Sequence, residues 1–567
     1  MKSIPLKFPK VKVSFKINVI AVFCVSACVL SIIRALSPLF IASDSSVQIG
    51  AGLGLASIGK MGNYALGVDI SQPPQTEWLT WFAPALSIFL FLLMKLGFTT
   101  EVSLKIIYST ATIAGWYGWG LLFREVMLLT NTRNLFATLV AITLGITLPL
   151  YFTFDWCGTD LLLWAGIPFI IYYFYSIYRR SEPQPLNYVK LGSLIGFTYT
   201  IRYAAISLLI GQVAFLVAAR KFKQIIYVVL GFLVFYAPVS IYRAIVGSNK
   251  ADHVAISSNL LNPRFLLGQA KIIFSSLKNS EYLLFSHLSH KIPVEKVAAG
   301  LLIFAVGLSI VVLAKGRQDD NSPSGNLLIL SKEILFINSS LIFFLVVVSL
   351  ASSNDFLHIT EIRYYYPLFP SLLLGAYGAV FHFSESTSVF SKIVRGLAGI
   401  YLGIFLLGTF RGLIFNSSAM FGFHYFSPSK HLVEYPSRQI LTRHPQSYKM
   451  LIDLLEKNPD RLAISFAEDF DFRHTPSLNL RQRIVPASST TVPQNTTSQP
   501  LEIYAIFAVD SECPSYCYYE YGKEVTFLKS SPDVKQEYVN PQEKIQIVSA
   551  TLAKDSKFRL NYVVGNS

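Results

Sequence analysis

Apolar runs long enough to cross a bilayer recur along the whole chain, and they leave few folds open to it. They fall near residues 19–42, 78–97, 104–124, 134–154, 159–178, 188–219, 224–245, 296–315, 334–353, 364–383 and 394–415. About twenty apolar residues make a helix as long as the hydrocarbon core is thick. Only 14% of the 567 residues are charged and the mean hydropathy is +0.47, where a soluble domain carries about 25% charged residues. The chain therefore reads as a polytopic membrane protein. Its net charge of +15 is no nucleic-acid signal, because Lys and Arg cluster beside the apolar runs, where they orient helices and meet anionic headgroups.

Five lysines (Lys2, Lys7, Lys10, Lys12 and Lys16) precede the first run and hold the amino terminus in the cytoplasm. That run is too long for a removable signal peptide and has no convincing cleavage site. Further cytoplasmic anchors are Arg124 with Arg133, Arg179 with Arg180, Arg220-Lys221-Phe222-Lys223, Lys315 with Arg317, and Lys392 with Arg395. If every run crossed, all of these would fall outside. Removing one crossing between Asp44 and Arg124 repairs them together. The segment 78–97 is the one to remove: it follows Pro73 and Pro74, contains Pro84 and Lys95, and carries Trp78 and Trp81, which suit an interface. With 188–219 long enough for two short spans around Arg202, the expectation is about eleven crossings.

The expected fold is thus mainly α: a transmembrane helical bundle over residues 1–415 and a small extracytoplasmic α/β domain over 416–567. External loops cover 43–103, with juxtamembrane helices, and 246–295. In the carboxyl-terminal part, Ser447 to Lys457 has helical periodicity. Arg461 to Ala467 and Leu501 to Val509 read as strands, and Pro486 to Pro500 as a loop. No internal repeat and no inverted halves are visible.

Asp44 leaves the first span on the extracytoplasmic side. A carboxylate at a membrane boundary needs hydration, a partner or a task, and a solvated residue ending a helix is the plain alternative. The same topology puts Asp155 and Asp160 on that side, with Arg202 and Tyr203, and Asp355, Glu361 and Arg363 just before Tyr364. Carboxylates can take a hydroxyl's proton, and arginine forks can hold a phosphate and offset charge on a leaving group. Snorkelling arginines and an N-capping Asp160 are the alternatives for those residues.

Five local patterns resemble the GT-C class of membrane glycosyltransferases, the broad group of dolichyl-phosphate-mannose protein mannosyltransferases and lipid A aminoarabinose transferases. Ser43-Asp44-Ser45 leads into a small-residue helix ending at Gly59. Pro73, Pro74 and Trp78 head an apolar juxtamembrane helix. Thr159-Asp160-Leu161-Leu162 and Ile201-Arg202-Tyr203 look like the family's second acidic position and basic-residue helix. Glu361-Ile362-Arg363-Tyr364-Tyr365-Tyr366-Pro367 resembles its E-x-R-Y-x-x-P stretch. The family's usual acidic pair or D-E-x-x-Y after the first span is here Asp44-Ser45-Ser46-Val47, which lacks both the Glu and the Tyr.

The resemblance, which spans roughly residues 15–415, implies a sugar transferred from a polyprenyl phosphate to an acceptor hydroxyl on a lipid, glycan or protein, by one inverting displacement. Asp44 would be the base. Asp160, with Asp155, would position the acceptor or a divalent metal ion. Arg202 and Arg363 would stabilise the departing phosphate, with Tyr203, Glu361 and Tyr364 lining the substrate site. A transporter or flippase of lipid-linked sugars, or a glycan polymerase or ligase, are the competing readings. A transporter's acidic groups should lie mid-span, whereas these lie at span ends.

His253, His287 and His290 sit in the loop 246–295, expected to cover substrate rather than hold metal. Cys513 and Cys517 can form a short-loop disulfide in an oxidising compartment. Asn416 and Asn495 fit the N-glycosylation tripeptide.

Overall fold

The computed structural model describes residues 19–36, 43–65, 75–79, 82–129, 158–179, 184–246, 329–337, 339–341, 389, 392–393, 396, 445–465, 483–486, 496, 499–508, 517–520, 523–527, 534–543, 545–552 and 560–563. It is mainly helical. The first part holds α1 (Val19–Leu36), α2 (Ser43–Ile58), α3 (Ala85–Lys95), α4 (Thr100–Leu129), α5 (Thr159–Tyr178), α6 (Pro185–Ile201), α7 (Ile206–Ala218) and α8 (Phe222–Val246). Helices α1, α4, α5, α6 and α8 contact one another in that order, and α3 touches α2, α4 and α6.

Among the described residues α5 and α8 are long and apolar enough to cross a membrane. On α8, Ile226, Leu230, Val234, Ile241 and Ile245 are each more than half exposed. A helix that shows branched aliphatics along its length suits a hydrocarbon surrounding, where no hydrophobic force drives them inward.

Aromatic rings fill the region where α1, α4 and α5 meet. Trp116 packs edge-on to Trp164 at 5.0 Å, and Phe23 lies 5.6 Å from Trp116. Helices α6 and α8 approach backbone to backbone. A Cβ on Gly192 would fall 1.9 Å from the Val228 carbonyl oxygen, and one on Gly231 would fall 2.0 Å from that of Val189. Only glycine permits this spacing.

The segment expected as an external loop begins with α2, which ends at Ile58 ahead of Gly59, a residue at φ +70°. A two-stranded antiparallel ladder follows, β1 (Gly62–Ala65) on β2 (Gln75–Trp78). Helix α3, begun after Pro84, has 11 residues, about 16 Å at 1.5 Å per residue, against about 30 Å of hydrocarbon. It lies on α2: Gln48 Nε2 donates to the Ala83 carbonyl at 3.3 Å, and Ser87 Oγ to the Gln48 carbonyl at 2.7 Å.

The carboxyl-terminal part contains α9 (Pro445–Lys457) and strands β3 (Leu462–Ser465), β4 (Ile484–Pro486), β5 (Leu501–Ala508), β6 (Cys517–Glu520), β7 (Lys523–Phe527), β8 (Val534–Asn540), β9 (Ile545–Leu552) and β10 (Leu560–Val563). One sheet runs β4-β3-β5-β9-β8, with β3 parallel to β4 and β5 and the β5-β9-β8 ladders antiparallel. A second runs β10-β7-β6. Tyr448, Leu451 and Leu455 of α9 share a buried cluster with Ile506 and Ile547 of the larger sheet. Both ends of α9 are capped from outside. The Glu543 carboxylate accepts from the Gln446 and Ser447 amides at 2.9 and 2.8 Å. The Arg483 guanidinium donates to the Leu455 carbonyl at 2.8 Å. These charges suit the ends they face. Of the proposed cysteine pair, Cys513 lies outside the described residues; among the described ones, Cys24 and Cys28 are free thiols.

Candidate functional site

Asp160 stands in the first turn of α5, two residues after the N-cap, which is Gly158. A carboxylate there is favoured by the helix dipole. It is 4% exposed and meets Arg202, whose Nη2 lies 3.0 Å from Asp160 Oδ1. Arg202 Nη1 also donates to Thr159 Oγ1 at 3.1 Å. The two residues are thus brought together, with Asp160 in the helix rather than at its cap.

Arg202 differs from the helical position its motif suggests. It is extended, at φ −152° and ψ 126°, and ends α6. A 3₁₀ turn, Tyr203–Ala205, leads on into α7. The interruption directs the guanidinium sideways onto the start of α5 instead of along its own helix. The start of α5 and the end of α6 therefore lie at one end of the bundle.

Tyr203 joins this end to the α2–α3 segment. Its hydroxyl donates to the Phe82 carbonyl at 3.2 Å, one residue from the Ala83 carbonyl that Gln48 engages. Asp44 lies one helical turn before Gln48 on α2. A chain of contacts thus runs from the helix of Asp44 through Gln48, Ala83, Phe82 and Tyr203 to Arg202 and Asp160. Tyr242 of α8 closes the same end by donating to the Met61 carbonyl at 3.1 Å.

Sequence reasoning missed Arg243. Its guanidinium stands 5.3 Å from the centre of the Tyr203 ring, and the residue is exposed. The Tyr199 ring lies tilted beside that of Tyr203, with centroids 5.0 Å apart. The available signal was an arginine in the last turn of an apolar run that ends at the expected external loop. Gln48 and Thr159 gave no such signal, being ordinary polar residues until their partners are known.

The backbone of Asp44 is placed in the first turn of α2. Asp155, Glu361, Arg363, Tyr364 and the histidines of 246–295 lie outside the described residues. The Arg202 guanidinium engages Asp160 Oδ1, and among the described residues no group of three or more His, Cys, Asp or Glu side chains could hold a metal.

No protein-family model and no curated protein matches the chain. Two solved structures resemble it in chain path. One is ArnT from Cupriavidus metallidurans bound to undecaprenyl phosphate, at TM-score 0.42 and 10% identity over 94% of this chain and 97% of that one. The other is the arabinofuranosyltransferase AftD from Mycobacteria, at TM-score 0.45 and 12% identity over 95% of this chain and 40% of that one. Both are of the GT-C class that the sequence motifs resemble. Likeness at this level assigns no residue, so the site rests on this chain's own geometry.

Proposed function

We propose that the protein is an integral-membrane glycosyltransferase. It moves a sugar from a polyprenyl-phosphate donor to an acceptor hydroxyl on the extracytoplasmic face. The observation that carries this reading is the buried Asp160–Arg202 pair, at the end of the bundle to which the helix of Asp44 is tied. The donor class comes from the sequence motifs around these residues.

In this reading Asp44 takes the proton of the acceptor hydroxyl. The acceptor oxygen attacks the anomeric carbon as the bond from that carbon to the phosphate oxygen breaks, and the sugar inverts. The bonding electrons leave with the polyprenyl phosphate. Arg202 faces the phosphate with its guanidinium, a planar fork of N–H donors. Asp160 is then a positioning residue that holds the guanidinium, rather than an acceptor or metal ligand. Arg243 supplies a second cation beside the Tyr203 ring. Glu361, Arg363 and Tyr364, with Asp155, belong to the same proposed site on sequence grounds.

The test is Asp44→Asn in membranes supplied with a panel of radiolabelled polyprenyl-phosphate sugars. Loss of transfer with donor binding retained is the expected result. Unchanged transfer overturns the base assignment, and movement of donor across the bilayer without transfer favours the flippase.

A further inference from the structure

A fully buried polar contact of the helical part lies away from the site end. Gln212 of α7 and Glu333 of the helical stretch 329–337 are both fully buried, and Gln212 Nε2 donates to Glu333 Oε1 at 2.9 Å. Gln212 is ten residues beyond Arg202, about 15 Å further along the helix axis. Two oxygens of this pair, Gln212 Oε1 and Glu333 Oε2, have no hydrogen-bond partner among the described residues. Both are acceptors as they stand, and buried acceptors without donors are rare and costly.

Few charged groups face the pair. Helix α7 carries no titratable side chain. From α5, Tyr175 is within electrostatic reach of Glu333. Arg179, 5.1 Å over the Tyr175 ring, is engaged by Glu125 of α4 at 3.6 Å. Lys332 precedes Glu333 on its own helix, about 100° round the axis. No cation is therefore paired with the Glu333 carboxylate among the described residues.

A carboxyl and a carboxamide can join through two parallel hydrogen bonds, and one of the two is in place here. The other needs a single proton on Glu333 Oε2, donated to Gln212 Oε1. That proton satisfies both remaining oxygens and removes the buried charge. We propose that Glu333 is a proton-binding site, and that its protonated carboxyl and Gln212 form an uncharged clip between α7 and the helical stretch 329–337. The packing around it is close enough to hold the geometry. A Cβ on Gly211 would lie 3.1 Å from Ile337 Cα, and Phe215 meets Phe336 edge-on at 5.7 Å. Because α7 begins at the turn that carries Arg202 and Tyr203, the clip anchors the element on which the site turn is mounted. It gives the buried acid an anchoring task that requires no passage of substrate.

Infrared difference spectra of the full chain in lipid nanodiscs at neutral pH test this. Wild type minus Glu333→Gln should show a carboxylic-acid C=O band, since the substituted amide keeps both hydrogen bonds and leaves the fold in place. A second variant, Gln212→Leu, should shift that band to higher frequency, and it carries the test if the first variant does not fold. Carboxylate stretches in place of the acid band overturn the proposal, whether the carboxylate is bare or paired with a cation.

Discussion

At the residue scale, the Asp160–Arg202 contact belongs with buried ion pairs rather than surface ones. Their side chains are 5% and 19% exposed. Exposed pairs contribute about 0–1 kcal/mol, whereas removing one member of a buried pair costs about 3–5 kcal/mol, because the other is left unpaired in a poor solvent. Asp160→Asn and Arg202→Ala should each lower the stability of the purified protein by an amount in that range. The double variant Asp160→Leu/Arg202→Met should recover much of the loss, since the uncompensated charge is gone, yet show no sugar transfer. Thermal melting in detergent and the transfer assay separate the two effects. If the double variant transfers sugar as the wild type does, the pair is structural alone. Arg243 behaves differently because it is exposed. Arg243→Ala should weaken polyprenyl-phosphate binding about tenfold, the loss of one charge-assisted contact, while melting changes by less than about 0.5 kcal/mol. Of these residues, Asp160 and Arg202 were legible singly in the sequence. Their pairing was not, because the partners lie on different helices and nothing local specifies which end of α6 meets the start of α5.

At the element scale, the interruption after α6 and the glycine contact between α6 and α8 set the geometry. The segment Thr200-Ile201-Arg202-Tyr203-Ala204 contains neither Gly nor Pro. Local propensity thus gives no reason for a break, and the tertiary contacts of Arg202 and Tyr203 accompany it. The α6–α8 contact is the reverse case, since Gly192 and Gly196 are spaced one turn apart in the sequence. Gly231→Ala would put a methyl 2.0 Å from a carbonyl oxygen and must push the helices apart. Overpacking of this kind costs about 1–3 kcal/mol and sometimes more. Size-exclusion profiles and melting of Gly231→Ala, against Gly396→Ala as a control where no described atom stands within 4 Å, measure it. Unchanged melting of Gly231→Ala would mean the helices are not that close.

At the scale of the whole molecule, orientation in the bilayer decides whether the site faces outward. The positive clusters predict that 78–97 does not cross, which leaves Thr99 outside and Asn131 inside. Single cysteines at these two positions, in a background without the native ones, should react with an impermeant thiol reagent from outside only at position 99. The reverse pattern would restore a crossing between Asp44 and Arg124 and turn the carboxylates after it to the cytoplasm.

The sequence by itself determined the membrane class, the apolar helices among the described residues and the polar carboxyl-terminal part, because hydropathy and periodicity are properties of neighbouring residues. The helix of residues 445–457 and the strands at 462–465 and 501–508 were legible for the same reason. Tertiary structure alone decided that Arg202 turns out of its helix onto Asp160, that Tyr203 spends its hydroxyl on Phe82, that Arg243 joins them, and that Glu333 is shut against Gln212. Each of those is a contact between residues 40 to 121 positions apart. A side chain's charge and size are written in the chain, but which distant partner meets it depends on how whole helices pack.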